Sequence, residues 1–191
     1  MKDENRLEWE EIKSEHIVQD EWIDFRRSAY RFPDGQVFEP YYSYSRRDYV
    51  VIVAADEDGN YICVRQFRHG IKEITTEFPA GGIERSDGCE YGPDMFAEEA
   101  LDAAKRELME ETGYISDEWR HLLTIPSNAT IADNYAVIFE ARNCRKAGSQ
   151  SLDDTEFLNV KLLSRSEISE MIEAGEFQQA IHVMALLLSE Q

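Results

Sequence analysis

Residues Glu98 to Tyr114 read EEALDAAKRELMEETGY, preceded by FPAGGIE at Phe78 to Glu84. The apolar positions Ala97, Ala100, Leu101, Ala104 and Leu108 recur at three- and four-residue steps, the period of an amphipathic helix. Thr112-Gly113 follows the last of them, and glycine most readily adopts the left-handed conformation that ends a helix. Glu107, Glu110 and Glu111 then stand at i, i+3 and i+4, which gathers three carboxylates on one side of the helix. Like charges so spaced cost a helix roughly 0.2–0.5 kcal/mol per pair. A hard cation reverses the sign, because Mg²⁺ binds through carboxylate oxygens and substrate phosphates. Taken alone, three acids on a helix also fit an ordinary solvated face.

The wider pattern is more specific. Gly92, five residues, Glu98, seven residues, then Arg106-Glu107-Leu108-x-Glu110-Glu111-x-Gly113-Tyr114 resembles the Nudix box at every specified position. The resemblance implies a hydrolase in which a loop–helix–loop holds divalent metal against a diphosphate. It implies Glu107 and Glu111 as metal ligands, with Glu110 assisting. It also implies that Arg106 holds a box carboxylate in place, with Glu98 as its partner. In most relatives a glycine pair, here Gly81-Gly82, lies close to the first box glutamate. Here roughly ten extra residues, around Ser86 to Phe96, intervene. We read Gly82 as keeping the usual structural role and Gly92 as matching by coincidence within an inserted loop.

At 191 residues the chain is long enough for one domain, or one with a small appendage, and 42% hydrophobic residues suffice for a sizeable core. A net charge of −19 argues against nucleic acid or an anionic membrane as partner. An anionic substrate would need local arginines and metal to offset that field. Cys63, Cys89 and Cys144 are scattered without metal-ligand spacing, and an odd count with no N-terminal apolar segment fits a reducing cytoplasm. The start, MKDENRLEWEE, is acidic and polar, so no signal peptide is expected. No run approaches the ~18–20 apolar residues of a membrane span. The four histidines, His16, His69, His121 and His182, are isolated and read as structural or exposed.

Along the chain, Trp22 to Tyr30 and Val37 to Ser45 flank Pro33-Asp34-Gly35, a turn sequence, and predict a hairpin. Tyr49 to Ala55 is a continuous apolar run, expected of a strand buried on both faces. Strands are also expected at Tyr61 to Phe67, Ile74 to Phe78, Trp119 to Ile125, Tyr135 to Ala141 and Phe157 to Leu163. Asn143 to Thr155 reads as a polar loop. Ser164 with Glu167 forms a capping box that opens a helix to about Ala174, closed by Gly175, and Phe177 to Ser189 reads as a last helix. The pattern predicts an α/β sandwich. The family resemblance, over about residues 48 to 190, makes it an α/β/α sandwich with a mixed sheet, plus an N-terminal β-hairpin region. The expected division is residues 1–47, a hairpin region for dimerisation, and residues 48–191, the hydrolase domain.

Outside the box, the PDG hairpin, VRQFRHG, EFPAGG, DDTEFLNVKLLS and GEFQQAIHVMALLL resemble the ADP-ribose pyrophosphatase branch. That resemblance implies the Ala80 carbonyl as a further metal ligand, Arg65 against the substrate phosphates and Glu77 near the substrate ribose. It implies Mg²⁺ as cofactor, with Mn²⁺ the alternative, and a cytoplasmic homodimer built through the N-terminal hairpins. It also implies a mobile carboxylate, Glu156 or Asp154, as general base, with Glu110 as the other candidate. The branch usually carries Pro-Gly or Pro-Ser-Pro-Gly after the box, where this chain has Pro126-Ser127-Asn128-Ala129-Thr130. Such loops set substrate choice. ADP-ribose is therefore the first expectation, GDP-mannose or another nucleotide sugar the second, and a non-catalytic nucleotide-sensing module the alternative of a different class.

Overall fold

The computed structural model describes residues 7–84 and 97–190, the side chains of 97 and 98 excepted. Eleven strands and three helices occur among the described residues, in the order β1 (Glu10–Gln19), β2 (Asp24–Arg31), β3 (Val37–Ser45), β4 (Tyr49–Asp56), β5 (Tyr61–Arg68), β6 (Glu73–Glu77), β7 (Ala80–Gly82), α1 (Ala97–Thr112), β8 (Tyr114–Ile115), β9 (Glu118–Pro126), β10 (Tyr135–Lys146), β11 (Leu158–Leu163), α2 (Arg165–Ala174) and α3 (Ala180–Ser189). The chain divides into two compact units, Met1–Arg47 with Pro126–Asn134, and Asp48–Ile125 with Tyr135–Gln191.

The larger unit is α/β. Its sheet runs β11-β5-β4-β10-β8, with β6 on β5, β7 on β4 and β9 on β10. β4 and β10 are parallel, whereas β5 is antiparallel to both β4 and β11, so the sheet is mixed, as the sequence predicts. The apolar run of β4 explains its central place. Val50, Ile52 and Ala54 face one core with Ala100, Ala104 and Leu108 of α1. Val51 and Val53 face the other, with Ile168 of α2 and Ala185 and Leu186 of α3. Alternate side chains of a strand point to opposite faces, so one buried run serves both layers. Each fully buried Leu, Ile or Val contributes about 1.5–3 kcal/mol of burial.

The helix boundaries follow local chemistry. Ser164 and Glu167 form the reciprocal capping box, and Gly175 closes α2 at φ 75°. The last helix begins at Ala180 rather than Phe177. The Glu176 carbonyl is bonded by the Thr76 amide at 2.8 Å and Phe177 is packed into the core, which keeps this segment extended. β10 runs to Lys146, beyond the predicted end at Ala141. Asn143, at φ 49°, carries the chain through a register shift, after which Arg145 and Lys146 pair with β8.

The smaller unit holds a three-stranded antiparallel sheet, β1-β2-β3, rather than a hairpin alone. The first strand, EEIKSEHIVQ, is exposed throughout and has little apolar signal. It is tied to β2 by Glu10–Arg31 and Glu15–Arg27 ion pairs, both 2.6 Å, and by His16–Asp24. The segment after β9 belongs to the same unit. The Tyr44 amide donates to the Ile131 carbonyl at 2.8 Å, and Arg26 pairs with Asp133 at 3.1 Å.

Candidate active site

α1 brings the box acids to the crossover between β6 and β7. The chain leaves β5 after Glu77 and joins β4 at Ala80, and there the Ala80 amide donates to Glu111 Oε2 at 3.0 Å. Glu111 is 2% exposed. Burial holds its pKa well above the usual carboxylate value; the Ala80 amide opposes the rise, while Glu107, Glu156 and Glu77 add to it. Glu107 is pushed up to about 7, first by burial, against Arg106, with Glu110 and Glu156 adding to the rise.

Arg106 is the cation inside this cluster. It reaches Glu107 at 2.9 Å, Glu110 at 2.8 Å and the Gly82 carbonyl at 3.0 Å. Glu98, its expected partner, has a side chain outside the described residues, as do Gly92 and the inserted loop. The space requirement in the glycine pair falls on Gly81, where a Cβ would lie 1.9 Å from Glu107 Cδ; one at Gly82 would meet nothing within 4 Å. Gly82 contributes its carbonyl instead.

The loop after β10 is anchored to the end of α1. Gln150 Nε2 donates to the Glu111 carbonyl and Lys146 Nζ to the Thr112 carbonyl, both at 2.7 Å, and the Ser151 amide donates to the Glu110 carbonyl at 2.9 Å. These bonds satisfy carbonyls that a helix end leaves without partners. The same loop continues into Asp153–Glu156, where the Asp153 amide donates to Glu156 Oε2 at 3.0 Å and the Glu156 amide to the Asp153 carbonyl at 2.9 Å. Glu156 thus stands in the field of Glu107 and Glu111, whereas Asp154 is exposed.

On the sheet, Arg65 of β5 is exposed, between Thr76 of β6 and Asn159 of β11, and no described carboxylate pairs with it. Its neighbour Arg68 is committed to Glu77, with Nε at 2.8 Å and Nη2 at 2.7 Å from Oε1. Glu77 is 0% exposed and its pKa is raised by burial, against Arg68. Its Oε2 has no hydrogen-bond partner among the described residues, although the Gln66 and Gln179 amides lie close enough to oppose the pKa rise. The sequence reading missed Arg68, which meets Glu77 across the β5–β6 hairpin, and Gly81 and Gln150, whose roles depend on approaches between distant segments. Only the paired glycines after a strand offered a signal.

Oxygen donors alone make up this cluster, two of them buried carboxylates that the protein's own cations only partly neutralise. Among the described residues, no group of three or more His, Cys, Asp or Glu side chains is gathered so as to hold an ion by itself. Mg²⁺ does not need one, since it is usually held by one or two carboxylates together with substrate phosphates. The donor set therefore fits a hard divalent cation.

Residues 45–185 match the model of the NUDIX domain. The chain belongs to the Nudix family. It is a Nudix hydrolase, and it is similar over most of its length to two curated relatives. One, an ADP-ribose pyrophosphatase of Bacillus subtilis (strain 168), is 26% identical over 181 residues, covering 91% of this chain and 88% of that protein. The other, a methanol dehydrogenase activator of Bacillus methanolicus, is 24% identical over 182 residues, covering 92% and 89%. A crystal structure of an ADP compounds hydrolase shares the fold at a TM-score of 0.77 and 21% identity, covering 95% of this Nudix chain and 92% of that one.

Proposed function

We propose that this chain hydrolyses the diphosphate bond of a nucleoside diphosphate sugar with Mg²⁺, ADP-ribose foremost, giving AMP and ribose 5-phosphate. The observation that carries the reading is the trio Glu107, Glu111 and Glu156. Two of these carboxylates are buried, and Glu156 adds to the pKa rise of both, beside the crossover that presents Ala80 and Gly81.

Glu107, Glu111 and the Ala80 carbonyl would hold the cation, with Mn²⁺ as the alternative to Mg²⁺. When bound, it supplies positive charge against the diphosphate and lowers the pKa of water. Glu156 accepts the proton of the attacking water at its carboxylate. Arg65, exposed and unpaired with any described carboxylate, meets phosphate charge as it develops. Glu77 Oε2, buried and without a hydrogen-bond partner among the described residues, accepts a ribose hydroxyl, because an unpaired buried acceptor costs about 1–3 kcal/mol until a donor arrives. Arg106 holds Glu107 and Glu110 in place. Cys63 and Cys144 are both free, in keeping with a reducing cytoplasm.

The likeness to a protein named as an activator supports a second reading, a nucleotide-binding module that regulates a partner. A panel of nucleoside diphosphate compounds, ADP-ribose and GDP-mannose among them, assayed with Mg²⁺ for phosphate-ester products, separates the two. Turnover of a nucleotide sugar supports the enzyme. Tight binding without turnover across the panel supports the module.

A further inference from the structure

Between β6 and β7 the chain changes strand partners, from β5 to β4, and a buried peptide leaves one ladder before it joins the next. Backbone groups in such a place must find partners elsewhere, because an unpaired buried N–H is costly. The crossing is Phe78-Pro79. Proline has no N–H, and its carbonyl accepts from the Ile52 amide at 2.9 Å. That leaves the Phe78 amide, on a residue that is 0% exposed. Its acceptor comes from the far end of the chain: it donates to His182 Nδ1 of α3 at 3.1 Å.

His182 is itself 4% exposed, and its ring lies nearly parallel to Phe78, at 10° and 6.4 Å between centroids. Because Nδ1 accepts, the ring is neutral with its proton on Nε2. Two residues beyond Phe78, the Ala80 amide holds Glu111. The histidine, the crossover and the box carboxylate therefore form one chain of fixed groups across the sheet.

We propose that His182 is a positioning residue of the active site, its Nδ1 fixing the crossover peptide so that the Ala80 amide stays on Glu111. The inference takes its site from the reading given under Proposed function, but it concerns the backbone and can be tested without turnover. The variants are His182→Leu, which fills the space without an acceptor, and His182→Asn, whose amide oxygen can take the place of Nδ1. Amide exchange at Phe78 and Ala80 is measured first, on the whole protein. His182→Leu is expected to speed exchange at both amides at least tenfold, and His182→Asn to restore wild-type protection within about threefold.

Mn²⁺ alone, titrated by electron paramagnetic resonance, should bind at least tenfold more weakly to His182→Leu. With the best substrate, kcat should fall while KM changes less than threefold. Unchanged exchange at Ala80 in His182→Leu overturns the proposal, as does an equal loss in His182→Asn. If His182→Leu does not fold, His182→Gln, whose amide oxygen lies at the wrong ring position, takes its place with the same expectation. If wild type turns over no nucleotide sugar, the functional reading fails, while the exchange result still decides the role of His182.

Discussion

Gly81 faces the carboxylate of Glu107 so closely that a Cβ there would lie 1.9 Å from Cδ and 2.1 Å from Oε1. Glu107 is buried and held by Arg106 at 2.9 Å, so it cannot swing freely aside. Gly81→Ala should therefore displace this carboxylate and leave the sheet intact. A misplacement of about 1 Å can cost on the order of 100-fold in rate, and overpacking about 1–3 kcal/mol. Activity and thermal melting of the variant check both numbers, and a fully active Gly81→Ala would remove Glu107 from the site.

The loop carboxylates should separate in the same way. Glu156 lies in the field of Glu107 and Glu111, whereas Asp154 is exposed. Glu156→Gln should lower kcat by about 100-fold with little change in KM, and Asp154→Asn should stay within about threefold, under ~1 kcal/mol of transition-state stabilisation. If both stay within threefold, the base lies elsewhere, with Glu110 next in line.

His182 gives stability a pH dependence whose sign can be stated. Burial, reinforced by Arg68, lowers its pKa from 6.5 to about 3. Between those values the unfolded chain binds a proton that the folded chain refuses. Its contribution to stability is thus complete above 6.5 and is lost as pH falls toward about 3, by about 1.4 kcal/mol per pH unit. Glu107, raised from 4.5 to about 7, acts in the opposite sense, favouring the folded state as pH falls from about 7 to 4.5. The difference in unfolding free energy between wild type and His182→Asn isolates the histidine. The variant should gain on wild type as pH drops from 6.5 to 4, and a pH-independent difference would contradict this.

The N-terminal unit leaves Trp9, Ile12, Val18, Trp22, Phe38 and Tyr42 exposed. Exposed apolar surface, where contiguous, marks interaction sites, and we expect a homodimer through this unit. Light scattering at micromolar concentration should give twice the mass of the chain, and Trp22→Asp should shift it toward one. A wild-type monomer would exclude the arrangement.

Much of this was legible in the sequence because it is local. The 3.6-residue period of α1, the apolar run of β4 and the Ser164–Glu167 cap each report their own structure. The i, i+3, i+4 spacing alone gathers Glu107, Glu110 and Glu111 on one side of α1, whereas Glu156 is named only by the family resemblance. β1 was missed because its pairing rests on ion pairs with β2 rather than on an apolar pattern. The roles of Gly81, Gln150 and His182 arise from residues 26 to 104 positions away in sequence, and nothing local announces such a partner. Pro126–Asn134 belongs with the N-terminal unit for the same reason: Thr130, Ile131 and Asp133 are hydrogen-bonded to β2 and β3.

The most direct measurement is the Mg²⁺-dependent release of AMP and ribose 5-phosphate from ADP-ribose by wild type and by Glu111→Gln. We expect equal amounts of the two products from wild type, none without divalent cation, and a fall in kcat of at least about 100-fold in the variant, some 2.7 kcal/mol of transition-state stabilisation, with the fold unchanged. Glu111→Gln turning over at the wild-type rate, or wild type releasing neither product from ADP-ribose nor any phosphate ester from another nucleotide sugar, would contradict the account.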